Sequence, residues 1–169
     1  MPTPIEFVFT EEERLAAMEE GERRQRVNEE KGLRGRNNGP RFGKKALDVH
    51  LLGAAGEMAV ASFLGLKNEL YKETEAKRGS CDLPGIDVKT RSKHCRDLIV
   101  QKKENPDKKF VLVTIERGTT LIHGWCYGKD AMKDEYWADY AGGRPAYFVP
   151  QDKLRAMGEI TSAETFGVC

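Results

Sequence analysis

Apolar and polar positions along this chain change their period twice, and each change marks a different kind of element. Between Glu11 and Glu30 the apolar residues are sparse, namely Leu15, Ala16, Ala17, Met18 and Val27. A helix is predicted there because its start is well marked. Thr10-Glu11-Glu12-Glu13 reads as a capping box, with the Thr10 side chain accepting from the Glu13 amide and Glu13 reaching back to Thr10. The acidic first turn also suits the positive end of the helix dipole. From Ala46 to Leu64 nearly every position is apolar or small, the pattern of a helix buried on most sides. Gly65 stands where a left-handed residue commonly closes a helix. Glu57 interrupts the apolar run, and helical spacing sets His50, Gly53, Ala54 and Ala61 on its side. Small neighbours admit another element closely, and a buried carboxylate requires a partner: an ion, or an arginine from the basic linker.

Beyond Gly79 the period falls to two. Strands are predicted for a short segment ending near Asp82, then Ile86 to Ser92, Asp97 to Lys102, Phe110 to Glu116 and Thr120 to Tyr127. Phe110-Val111-Leu112-Val113-Thr114-Ile115 is continuously apolar and β-branched, which marks a central strand covered on both faces. A short helix from Lys129 to Tyr136, a last strand at Tyr147-Phe148-Val149 and a terminal helix from Gln151 to Met157 complete the chain, with Pro150 barring further pairing. Such an order describes an α/β or α+β layer architecture.

Length allows one domain, residues 46–169, preceded by a helix and basic linker over residues 1–45. Charge supports that division. The whole chain carries only +1, but residues 1–22 hold seven Glu and one Arg, whereas residues 23–45 hold nine Lys or Arg against Glu29 and Glu30. The glycine-rich segment from Gly32 to Lys45 reads as a flexible basic linker or a DNA-gripping arm through Arg34, Arg36, Arg41, Lys44 and Lys45. Cys81, Cys95, Cys126 and Cys169 lack the spacing of a small disulfide framework, so reduced thiols are expected. No apolar run approaches the length of a membrane span, and the N-terminus lacks a signal peptide's basic start and apolar stretch. A cytoplasmic protein without membrane contact is the expectation.

Candidate chemistry concentrates in Cys81-Asp82-Leu83-Pro84-Gly85-Ile86-Asp87-Val88-Lys89-Thr90. Pro84-Gly85 is a strong turn signal, and the alternation after it puts Asp87 and Lys89 on one strand face. A reversal from Leu83 to Ile86 would set Asp82 across from Asp87, with Cβ atoms about 5 Å apart, where like charges are costly. A hard divalent cation removes that penalty, and Mg²⁺ typically takes one or two carboxylates and leaves its other positions to water and phosphate oxygens. Simpler roles exist for each residue: Asp82 as a turn cap, Asp87 and Lys89 as an exposed ion pair. Arg91 continues the Asp87 and Lys89 face, and Lys93, Gln101 and Lys102 lie nearby in sequence. They suit phosphate positioning, with steep salt dependence.

A helical Glu57, then Asp82, then Asp87-Val88-Lys89 in a hairpin, then apolar strands: this order resembles the PD-(D/E)xK nuclease superfamily over about Ala46 to Glu116. The resemblance implies a restriction-endonuclease-like fold, a mixed central sheet flanked by helices, here with an N-terminal helical extension. It implies a Mg²⁺-dependent DNA endonuclease, with Mn²⁺ substituting, no organic cofactor, and 5′-phosphate and 3′-hydroxyl products. In it Asp82, Asp87 and the backbone carbonyl of Val88 would hold the ion, Glu57 directly or through a water, and Lys89 would orient or deprotonate the attacking water. Small enzymes of this kind often act as homodimers. Cys81 stands where the family has Pro, and the interval between the two Asp is short. The main alternative is a non-catalytic nucleic-acid-binding protein of the same fold. A zinc module built from His94-Cys95 and His123 with Cys126 would need two strands to converge.

Overall fold

A computed structural model of the chain describes residues 1–32, 44–72 and 81–160. Helix α1 (Glu11–Glu30) begins at the expected capping box: Thr10 Oγ1 accepts from the Glu13 amide at 3.1 Å, and the Thr10 amide donates to Glu13 Oε1 at 2.9 Å. Helix α2 (Lys44–Leu64) starts two residues before the apolar pattern does, so the backbone of Lys44 and Lys45 is helical rather than linker. Gly65, at φ +71°, closes it as anticipated.

Among the described residues seven strands follow a mixed topology: β1 (Ile5–Phe7), β2 (Ile86–Arg91), β3 (Leu98–Val100), β4 (Lys109–Glu116), β5 (Thr119–Tyr127), β6 (Trp137–Ala138) and β7 (Ala146–Val149). The main sheet runs β1-β5-β4-β2, and the smaller one β3-β7-β6. Strand β4 is antiparallel to β5 and parallel to β2. Its run from Lys109 to Thr114 is buried throughout, as its composition foretold. Alternation splits the main sheet's side chains between two cores. Val88, Val111, Val113, Ile122 and Trp125 pack with Ala59, Val60 and Ala61 of α2. Phe110, Leu112 and Cys126 pack with Leu98, Val100, Val149 and Leu154. The molecule is therefore layered: α1, α2, main sheet, small sheet. The fold is mixed α/β, with the two long helices on one face of the main sheet and a second sheet on the other.

Close approach holds the helical layers together. A Cβ at Gly21 of α1 would lie 2.8 Å from Leu51 Cα of α2, and one at Gly56 would collide with the Thr90 side chain of β2. The N-terminal helix, sparse as its apolar residues are, buries Glu13, Ala17, Glu20, Gly21 and Gln25.

Several expectations fail. Among the described residues no strand ends at Asp82; Leu83 and Ile86 form an isolated bridge instead, and residues 73–80 lie outside the described part. The helix expected from Lys129 to Tyr136 is a four-residue α3 (Gly128–Ala131) and a separate 3-10 turn at Asp134–Tyr136. The break lets Ala131, Met132 and Tyr136 all reach the second core. Gln151 to Met157 is no helix: 3-10 turns at Gln151–Lys153 and Met157–Glu159 flank an extended segment whose Arg155 exchanges backbone bonds with Trp125 at 2.7 and 3.0 Å. Pairing with the sheet replaces internal helical bonds. Strands β1 and β6, of three and two residues, lie outside the predicted elements. Cys95 and Cys126 are free thiols, whereas Cys81 is disulfide-bonded, against the expectation of reduced cysteines. Leu47–Leu64 is long and apolar enough to cross a membrane, contrary to the reading that no such run exists. Here that helix lies between α1 and the main sheet.

Candidate active site

Pro84-Gly85 makes the hairpin. Leu83 and Ile86 exchange both backbone hydrogen bonds at 3.0 Å, and Gly85 at φ +72° behind a proline gives the type II pattern that only glycine adopts freely. The reversal brings Asp82 against the start of β2, as anticipated. The Asp82 amide donates to Asp87 Oδ1 at 3.3 Å, and the Val88 amide donates to Asp82 Oδ2 at 2.8 Å. Amide and carbonyl of one strand residue point the same way, so the Val88 carbonyl also leaves β2 on the Asp82 side.

Among the described residues β2 is an edge strand, and the site wraps around that edge. Asp87 and Lys89 are in register with Phe110 and Leu112, on the face toward the small sheet. Glu57 comes from α2, which packs on the other face. Asp82 sits between them at the rim. Burial, then the charge of Glu57, then that of Asp87, push the Asp82 carboxyl up to about 7. The helical Glu and the hairpin thus lie within electrostatic reach of one another.

Glu57 and Asp87 are each also drawn to a cation. Arg24 of α1 donates to both oxygens of Glu57, at 3.0 and 2.7 Å, and to Glu20 at 2.9 Å, with its guanidinium 5.5 Å from the Tyr71 ring centre. Burial opposes its charge, but Glu57 and Glu20 outweigh it and hold Arg24 above the usual arginine range. The partner that Glu57 required is this helix arginine and not one from the linker. Lys89 Nζ lies 3.6 Å from Asp87 Oδ2 and 3.2 Å from Glu104 Oε1. Lys108, 4 % exposed, sets its Nζ 3.5 Å from Asp87 Oδ2 and 3.9 Å from Glu104 Oε2. Two lysines and two carboxylates therefore form a closed square.

With the side chains so engaged, no group of three His, Cys, Asp or Glu among the described residues is arranged to hold a metal ion. The donor set nevertheless suits a hard cation. Asp82, Asp87 and the Val88 carbonyl are oxygen donors on one side of one hairpin, and Mg²⁺ needs no more protein ligands than that. Glu57, clasped by Arg24, would join them through a water or after Arg24 releases it.

The phosphate-contact candidates are scattered. Arg91 donates to the Asp97 carbonyl at 2.9 Å, and Lys93 pairs with Glu116 at 3.2 Å, which commits both away from Lys89. Gln101 opens the turn that delivers Glu104, and Lys102 lies over Trp137. Lys44 and Lys45 begin α2, while Arg34, Arg36 and Arg41 lie outside the described residues. Arg24, Glu104 and Lys108 were not foreseen as site residues. The Glu20 and Arg24 pair at helical spacing was a visible signal; for Lys108 there was none.

The two histidines of the zinc reading do converge, but on a hydroxyl. Thr114 Oγ1 lies 2.6 Å from His94 Nδ1 and 2.7 Å from His123 Nε2, while Cys126 is buried in the second core with its thiol pushed up to about 12. Burial, and the charge of His94 after it, hold the His123 ring below the usual histidine range. No family model, no curated protein and no solved structure matches the chain.

Proposed function

We propose that the chain is a metal-dependent DNA nuclease of restriction-endonuclease-like fold whose site is the rim of β2. The observation that carries this reading is Asp82, a half-buried acid held against Asp87 by hairpin hydrogen bonds and charged upon by Glu57, with Lys89 two residues along the same strand. Apolar surroundings make such crowding of acids costly unless positive charge is brought to it. A phosphodiester needs the same thing, because an anionic centre must accept further negative charge as it is attacked.

Asp82, Asp87 and the Val88 carbonyl would hold Mg²⁺ or Mn²⁺, with Glu57 contributing through a water. Bound there, the ion supplies Lewis acidity and an acidified water. Lys89 shares the Asp87 face and can turn from Glu104 toward a phosphate oxygen or the attacking water. Lys108 adds a second positive charge to the same wall, and Glu104 positions both lysines. Hydrolysis on this plan leaves 5′-phosphate and 3′-hydroxyl ends.

One observation favours a second reading. Arg24 already neutralises Glu57, so the rim could serve as a DNA-binding surface without catalysis. Incubating supercoiled plasmid with the protein in Mg²⁺ or Mn²⁺, beside EDTA and Lys89→Ala controls, separates the two. Metal-dependent nicking that falls at least 100-fold in Lys89→Ala is expected. Equal cleavage by that variant rejects the mechanism, and salt-sensitive DNA binding without cleavage selects the second reading.

A further inference from the structure

We infer that Trp137 and Lys102 form a stacking site for an unpaired base next to the β2 rim, so that the substrate is DNA with a single-stranded stretch beside the cleaved phosphate. This rests on the rim being a site for DNA. The two places are joined by one short turn. Gln101 to Glu104 is closed by a bond from the Glu104 amide to the Gln101 carbonyl at 3.1 Å. Its last residue sends a carboxylate to Lys89 and Lys108. Lys102, whose Cα is at most about 7 Å from that of Glu104, sets its Nζ 5.8 Å from the Trp137 ring centre.

Trp137 is built to be rigid yet open. It lies on β6 directly opposite Tyr147 of β7, with the ring centres 4.8 Å apart at 59°. Tyr147 is tied into the second core, which anchors the pair. The indole nevertheless stays 40 % exposed, whereas Trp125, the other tryptophan, is 1 % exposed. An exposed indole backed by one aromatic ring offers a base a π-face once the Lys102 ammonium that lies over it swings to the base's phosphate as a counter-charge. Lys103, exposed on the same turn, adds a second phosphate contact. Bases inside a duplex are stacked on their own neighbours and cannot present their faces to the indole. A single strand, a flap or a frayed end can.

The test is binding in EDTA, where no metal-dependent cleavage intervenes, with an oligo(dT) single strand compared with a blunt duplex of equal length. Because Trp125 is buried, quenching of tryptophan emission reports Trp137. Oligo(dT) should quench, and the duplex should not. Trp137→Ala should weaken oligo(dT) binding about tenfold or more and leave duplex binding unchanged; Trp137→Phe should recover part of the loss, with unaltered Trp125 emission reporting an intact fold. Lys102→Ala should flatten the salt dependence for the single strand. Equal affinity of wild type and Trp137→Ala for oligo(dT) overturns the inference. So does a dimer that Trp137→Ala converts to monomer in sedimentation, since a second copy would then cover the indole. Absence of plasmid cleavage in Mg²⁺ with quenching retained would defeat the nuclease reading and leave the stacking site standing.

Discussion

Asp82 is where the residue scale decides most. A carboxyl raised to about 7 from an ordinary 3.8 binds its proton more tightly in the folded chain than in the unfolded one. Between those values the folded state holds the extra proton, so this group lowers stability as pH rises from about 4 to 7, and the loss is complete above 7. Asp82→Asn keeps an oxygen to accept from the Val88 amide and removes the charge. In metal-free buffer the variant should melt higher than wild type at pH 8 and close to it at pH 4, by at most about 4 kcal/mol at roughly 1.4 kcal/mol per pKa unit; a pH series of thermal melts checks this. The thiols differ in the same way. Cys95 is exposed and should react with iodoacetamide in the folded protein, while Cys126, buried and pushed up to about 12, should react only on unfolding, as peptide mapping would show. Glu57, Asp82, Asp87 and Lys89 were legible in the sequence because a lone acid in an apolar helix and a hairpin dense in charge are local signals. Arg24, 33 residues from Glu57, and Lys108, 21 residues from Asp87, were not: packing of separate elements brings them together, and no spacing rule encodes that.

At the element scale, the contact between α1 and α2 sets the geometry around Glu57. Gly21→Ala would push a methyl to 2.8 Å from the Leu51 backbone and part the helices. A loss of about 1–3 kcal/mol is expected, measured by urea denaturation. Arg24→Ala would leave Glu57, 7 % exposed, without its bidentate partner. Breaking a buried pair from one side costs about 3–5 kcal/mol, so Arg24→Ala combined with Glu57→Ala should be less destabilised than the two losses added, a double-mutant cycle with a clear sign. Elements with strong period and good end signals were readable: α1, α2 and the long strands β4 and β5. What misled was the stretch after Pro150. Its polar and apolar residues allow a helix, but Arg155 finds backbone partners on Trp125, and tertiary pairing overrides local preference.

For the molecule as a whole, β4 is shared by both cores, with Val111 and Val113 facing α2 and Phe110 and Leu112 facing the small sheet. Unfolding should therefore be a single transition, and Leu112→Ala should lower it by about 2–5 kcal/mol without splitting it, a result that circular dichroism and Trp125 fluorescence melts would report by coinciding. Chelation should leave that transition where it is. Saturating Mg²⁺ should raise it by mass action alone. The reason lies in the square of Asp87, Lys89, Glu104 and Lys108 and in the Arg24 clasp on Glu57: those acids arrive already paired from within. Those tethered cations are a reserve. On the proposed reading, an ion that draws Glu57 and Asp87 would loosen Arg24, Lys89 and Lys108 toward the next anion that comes alongside, so that loading the rim and readying it for a phosphate become a single exchange.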